Sequence, residues 1–190
     1  MGTLYNAKSR ILSFVSDIRI YKGGFILFGD SHYKIKGPET RAILNVIEPG
    51  DILLRRYSNY LGSKFIPGYY SHVAIYVGEN TVVHMLGSGI VSEDILTFLR
   101  CDDICVLRSK NRYEAEQAVI NVYKHLEAGV PYDYNFDHDS AERFYCTELI
   151  DNCYDYKVKK LLNKRQIMPD DFLALVDRFF HIVWVRDKEK

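Results

Sequence analysis

The stretch that most restricts how this chain can fold is residues 71–86. Ser71-His72-Val73-Ala74-Ile75-Tyr76-Val77 is β-branched and aromatic, Gly78-Glu79-Asn80 closes it, and Thr81-Val82-Val83-His84-Met85-Leu86 follows. Two such runs joined by a short Gly- and Asn-bearing turn predict a β-hairpin. A three-residue loop at 78–80 would pair Val77 with Thr81 and set Ala74 opposite His84. Side chains alternate along a strand, so His72, Ala74, Tyr76, Val82 and His84 would share one face. Val73, Ile75, Val77 and Val83 would form the opposite, core face. His72 and His84 then become diagonal neighbours about 5.5 to 8 Å apart at the backbone, within reach of a ring-to-ring hydrogen bond. One imidazole can take a proton while the other fixes its tautomer. Spacing alone also fits two water-paired histidines on a half-exposed sheet. A zinc site with Cys146 as third ligand is a further reading, without a motif of metal-binding spacing to support it.

The second informative stretch is Phe144-Tyr145-Cys146-Thr147-Glu148-Leu149-Ile150, directly after the turn-rich residues 129–139. From Cys146 onward Leu149, Ile150, Cys153, Val158, Leu161 and Leu162 recur at helical spacing, which predicts an amphipathic helix with Cys146 at its start. A thiol there sits near the positive end of the helix dipole and beside unpaired N–H groups, both of which favour the thiolate. The same N–H groups can hold an oxyanion. Glu148 lies on nearly the other side of the helix and is read as serving its first turn. Cysteine is also among the most buried residue types, and an inert packing role is the competing reading. Cys153, deeper on the same helix, is read as core.

Around these two stretches the chain divides as follows. Residues 4–20 carry Leu4, Ala7, Ile11, Phe14, Val15 and Ile18 at helical spacing, predicting an amphipathic helix broken by Gly23-Gly24. Phe25–Phe28 is a short apolar run, strand or buried loop. Pro38 opens a short helix through Val46. Glu48-Pro49-Gly50-Asp51 is a turn, and the main fold is placed from residue 48 to 190, with 1–47 as an N-terminal helical extension. Strands are expected at Ile52–Leu54, Ile90–Val91, Ile104–Leu107 and Phe179–Val185. Helices are expected from Ser92-Glu93 to about Leu99, from Arg112 to Ala128 ending at Gly129, and from Asp170 to Val176.

Lys and Arg number 25 and Asp and Glu 25, so the formal charge is zero and no basic stripe marks a nucleic-acid binder. The 15 tyrosines and 10 phenylalanines suit a sheet-rich core or an aromatic cleft and argue against disorder. Cys101, Cys105, Cys146 and Cys153 fit no zinc spacing. With no apolar run of signal-peptide or membrane-spanning length, the expectation is a reduced, cytoplasmic protein without a transmembrane segment. Asp137, His138 and Asp139 read as turn formers or a polar rim. No metal or other cofactor is called for.

Five short segments carry a resemblance. Gly50-Asp51-Ile52, Ser71-His72-Val-Ala-Ile-Tyr76-Val-Gly78, Val83-His84, Pro131-Tyr132-Asp133 and Tyr145-Cys146-Thr-Glu148-Leu149 together resemble the circularly permuted NlpC-type papain-like cysteine hydrolases. Within these the match is to the YiiX/YebB-like group, related to the lecithin–retinol acyltransferase family, and it spans roughly residues 48–185. The resemblance implies an α+β fold in which the histidine strand precedes the cysteine helix. It implies Cys146 as nucleophile and His72 as general base. His84 falls at the third, orienting position, where the YiiX-like branch usually has glutamate and the acyltransferase branch histidine. Tyr145 and the first amides of the Cys146 helix are candidates for the oxyanion region, and Phe65, Tyr69 and Tyr70 for the walls of a cleft. The implied activity is hydrolysis or transfer at an acyl carbon of a peptide-like amide or a lipid-like ester, through an acyl-cysteine. A catalytically spent binding module, or a structural protein docking a partner through the N-terminal helix, is the alternative.

Overall fold

The computed structural model describes residues 19–20, 26–27, 33–58, 60, 63, 66–136, 142–155 and 157–186. The helix expected over 4–20 lies outside these, except for its last two residues. Those form strand β1 (Arg19–Ile20), antiparallel to β2 (Ile26–Leu27).

The centre of the molecule is a six-stranded antiparallel sheet. Its strands are β3 (Ile52–Arg56), β4 (His72–Gly78), β5 (Thr81–Leu86), β6 (Gly89–Asp94), β7 (Asp103–Ser109) and β8 (Phe180–Val185), ordered β6-β5-β4-β3-β7-β8. The β4–β5 register sets Ala74 opposite His84, as the alternation requires, but the turn differs from the three-residue loop expected. Glu79 and Asn80 alone form the turn, with φ of 49° and 55°, and Gly78 pairs with Thr81. Two consecutive positive-φ residues match the right-handed twist of the strands, and the extra residue becomes a bulge at Val77. The expected face assignment survives because loop and bulge compensate.

Period-two alternation sorts the sheet into two cores. On one face Ile52, Leu54, Val73, Ile75 and Val83 pack against helix α3 (Arg112–Glu127) and helix α4 (Cys146–Cys153) through Ala118, Val122, Leu149 and Ile150. On the other face Leu53, Ala74, Tyr76, Val82 and Ile104 pack against Ile43 of helix α1 (Gly37–Leu44) and Ile95 and Phe98 of helix α2 (Ile95–Phe98). Residues 33–47 thus lie on the sheet: Ile43 is fully buried, and the N–H of Ile35 donates to Cys101 O at 3.1 Å. The histidine face is a second core, not the half-exposed surface that spacing also allowed.

Two expected elements are corrected. Ser92 and Glu93 do not start a helix. They extend β6, and Asp94 ends the strand by capping α2, its carboxylate accepting from Leu96 N at 2.8 Å. The helix expected to run on from Cys146 past Val158 breaks after Cys153, with Asp155 at φ 59°. Helix α5 (Lys157–Leu162) restarts under a side-chain cap, Asp151 accepting from Val158 N at 2.7 Å and from Lys159 N at 3.2 Å. The apolar period continues across the break because both helices cover the same face of the sheet. A 3-10 helix (Pro169–Leu175) and β8 complete that layer.

Candidate active site

β4 begins at His72, opposite Arg55 of β3, and its register with β5 ends at Ala74↔His84. His72 and His84 lie on one face in consecutive antiparallel strands, so their rings meet on the diagonal. His72 Nε2 and His84 Nδ1 share a hydrogen bond of 2.8 Å, with the rings nearly perpendicular at 78°. His84 is fully buried and His72 partly so. Phe98 walls both, its centroid 5.3 Å from His84 and 6.2 Å from His72.

The far side of His84 holds an acid and a base that sequence reading missed. Glu93 Oε2 approaches His84 Nε2 at 3.4 Å and Arg55 Nη1 at 3.7 Å. The Arg55 guanidinium stacks 4.1 Å over the Phe98 ring and 4.8 Å over Tyr57, and donates to Phe98 O at 3.4 Å. Among the described residues His84 Nε2, Glu93 Oε2 and Arg55 Nε have no well-formed hydrogen bond of their own, so this buried charge answers to its immediate neighbours. The signal for Glu93 was present in the strand period. Val91 stands opposite His84 and Glu93 opposite Val82, so Glu93 shares the histidine face once β6 is recognised as reaching Asp94.

Cys146 is the first residue of α4, after Tyr145 in extended conformation (φ −94°, ψ 174°), and is 8% exposed. Beyond the last β4–β5 pair the Val73 N–H is turned to the Cys146 sulfur, as are those of Thr147 and Cys146 itself. The thiol therefore sits against the peptide that joins His72 to Val73. Those amides neighbour the thiol, and His72 Nε2 is engaged by His84. Burial pushes the thiol up to about 11, against the pull of the amides and of Arg55. The helix terminus thus does not leave a standing thiolate, contrary to the expectation from position alone. It does keep Cys146 the least raised of the four cysteines, since burial takes Cys101 and Cys105 to about 12 and Cys153 further.

Other expected residues fall around this centre. Tyr145 is buried, with its hydroxyl accepting from Ile167 N at 3.2 Å and its ring 5.5 Å from Phe136. Phe136, 42% exposed, also meets Tyr132 at 6.3 Å, and Tyr132 lies near Cys146. Tyr70 is buried with its hydroxyl on Cys105, and its N–H donates to Asp170 at 2.8 Å, placing it in the α4-side core. Glu148 lies in the first turn of α4, as expected, and is buried there, with its charge felt by Tyr145. Cys153 is core. Phe65, Asp137, His138 and Asp139 lie outside the described residues. Among the described residues no group of three or more His, Cys, Asp or Glu is arranged to hold a metal ion, and no helix is long and apolar enough to cross a membrane.

Both histidines are held below the usual range: His72 well below by burial, then by the Arg55 and His84 charges, and His84 by burial, against the pull of Glu93. A group with a depressed folded value binds its proton more readily when unfolded. Its contribution to stability is therefore complete above the unfolded value of 6.5 and is lost as pH falls below it. Each histidine should then contribute a slope of about 1.4 kcal/mol per pH unit below that point. Urea midpoints between pH about 7.5 and 5 check this. The midpoint should drop on acidification, and His72→Gln should flatten the drop. A midpoint indifferent to pH would contradict neutral, buried histidines.

Comparison with known proteins bears on this arrangement. A crystal structure described as the metalloprotein yiiX from Escherichia coli O157:H7 (DUF1105) is similar at a TM-score of 0.48 and 20% identity, covering 63% of this chain and 69% of that one. No match to a curated protein was found. The model for the permuted papain-like amidase enzymes, YaeF/YiiX, C92 family, matches residues 46–177. That range runs from just before β3 to the turn after the 3-10 helix and contains the histidine strands and the cysteine helix in permuted order. The chain belongs to this family of permuted papain-like amidases.

Proposed function

We propose that the protein is a thiol hydrolase, or acyl transferase, that cleaves an amide or ester through an acyl-Cys146 intermediate. The observation that carries the reading is the meeting at the start of β4. The sulfur lies against the Val73 N–H, one residue from His72, and His72 is tied to His84 at 2.8 Å. With His72 Nε2 engaged by His84, Nδ1 is the nitrogen left to accept the thiol proton. With both the thiol and the imidazole neutral, the proton transfer becomes part of the attack, a general-base step, instead of a preformed ion pair. As the C–S bond forms, the carbonyl π electrons move to oxygen, and the N–H groups of Cys146 and Thr147 at the helix start support that oxyanion. The proton on His72 then goes to the leaving amine or alkoxide, and water or an acceptor reverses the sequence at the acyl-enzyme. The step requires the thiol to come within hydrogen-bond reach of His72 Nδ1, as resting contacts tighten on substrate binding.

The exposed ring of Phe136, with Tyr132 and Tyr145 behind it, offers an apolar wall beside the sulfur for a peptide side chain or an acyl chain. The catalytic unit in this reading begins at residue 48, with the preceding segment laid on the sheet through Ile35 and Ile43. A binding module on the same scaffold is the competing reading, favoured by the buried, protonated thiol. Iodoacetamide labelling with peptide mapping separates the two. Cys146 should label fastest of the four cysteines near neutral pH, and His72→Ala should slow it about 10-fold or more through loss of the base. Equal labelling of all four would support the binding module.

A further inference from the structure

We propose that Glu93, held near Arg55, is a positioning residue that fixes the direction of the His72–His84 hydrogen bond and so leaves His72 able to take the Cys146 proton. This rests on the hydrolase reading above and goes beyond it, since Glu93 stands on the far side of His84 from His72 and takes no part in the proton transfer itself.

The reasoning is one of donors and acceptors. A neutral imidazole carries one N–H and one bare nitrogen, so two neutral imidazoles bonded Nε2 to Nδ1 have two possible directions. In one, His72 Nε2–H donates to His84 Nδ1, His84 carries its proton on Nε2, and His72 Nδ1 is a base. In the other, His84 Nδ1–H donates to His72 Nε2, and His72 Nδ1 carries a proton and cannot accept one. The 2.8 Å contact is compatible with both, so the pair cannot choose. The choice is made at the outer end. An ionised carboxylate only accepts, and Glu93 Oε2 stands 3.4 Å from His84 Nε2. That favours His84 Nε2–H, which forces His72 Nε2–H, which leaves Nδ1 bare. Each ring passes the constraint to the next.

Arg55 supplies the second half. Its guanidinium carbon lies 4.1 Å over the Phe98 ring and its Nη1 3.7 Å from the same Glu93 oxygen. The close approach of His84, first, and the Arg55 charge hold the Glu93 carboxyl below its ordinary value, so it stays the acceptor the scheme needs. Arg55 also offsets the acid's charge, so Glu93 orients the rings without drawing a second proton onto them.

The test reads the tautomers directly. In protein labelled with 15N-histidine, ring spectra at pH about 8, above the ordinary histidine range, report which nitrogen of each ring is protonated. The wild-type protein should show His72 and His84 both as Nε2–H. A wild-type His84 protonated on Nδ1 would overturn the inference without any variant. In Glu93→Gln the side chain can donate as well as accept, so the opposite tautomer should become populated, with Cys146 labelling slowed about 10-fold. Glu93→Asp, which restores an acceptor only, should recover the wild-type tautomers. Unchanged tautomers and labelling in Glu93→Gln would overturn the role of Glu93 while leaving the cysteine–histidine reading intact. If His72→Ala leaves Cys146 labelling unchanged, the hydrolase reading itself fails, whatever Glu93 does.

Discussion

Replacing Cys146 by alanine is expected to abolish turnover of a p-nitrophenyl acyl ester and of any peptide amide the protein cleaves, by about 10⁴-fold or more. The size follows from what is removed. The other groups at the site can orient, polarise and shuttle a proton, but none can form the acyl intermediate. Alanine at this position deletes one sulfur from a residue 8% exposed, at a cost of about 1 kcal/mol, so the fold should remain. A large loss in turnover with a nearly unchanged urea midpoint is the expected pair of results. Cys146→Ser should not recover the rate, because a hydroxyl in a site that raises even the thiol to about 11 would be harder still to deprotonate. Turnover surviving in Cys146→Ala would mean that the chemistry lies elsewhere.

The largest effect on stability is expected at Phe98. Its ring is fully buried, stacks under the Arg55 guanidinium at 4.1 Å and meets His84 edge-on at 5.3 Å. Phe98→Ala deletes a large apolar side chain from the second core and should cost about 3 to 5 kcal/mol. The cavity would also open beside a buried guanidinium and a buried imidazole, both of which would draw water into it. Activity should therefore fall along with the urea midpoint. Phe98→Leu keeps most of the volume and should cost about half as much or less. A loss below about 1 kcal/mol in Phe98→Ala would show that the second core does not bear on this site as described.

Much of this arrangement was legible in the sequence because period two is a strong constraint. The alternation from His72 to Tyr76 and from Val82 to His84 puts the histidines on one face, and the Ala74–His84 register is as expected. The register is kept although the turn is one residue shorter than expected, since the bulge at Val77 takes up the extra residue. Cys146 at a helix start was equally readable, because apolar spacing resumes there after a loop rich in turn residues. The family followed from the order of short segments.

What could not be read were long-range effects. Ser92-Glu93-Asp94 looks like a helix start, and Asp94 does cap one, so the local signal was real but displaced by two residues. That displacement hid Glu93, whose place beside His84 depends on strand pairing, not on neighbours in sequence. Arg55 was hidden for a similar reason: it falls just past the expected strand Ile52–Leu54, and Phe98, Tyr57 and Glu93 converging on it make a charge there tolerable. The protonated state of Cys146 was also invisible. Helix position argued for a thiolate, but burial, a tertiary property, decided the balance.

The central claim is that the Cys146 sulfur carries the acyl group. Intact-mass analysis and peptide mapping after rapid acid quench with a p-nitrophenyl acyl ester tests it most directly. A single acyl adduct on Cys146, which appears within one turnover and decays more slowly in His72→Ala, is the predicted result. An adduct on Cys101, Cys105 or Cys153, or steady hydrolysis with Cys146 never acylated, would contradict it.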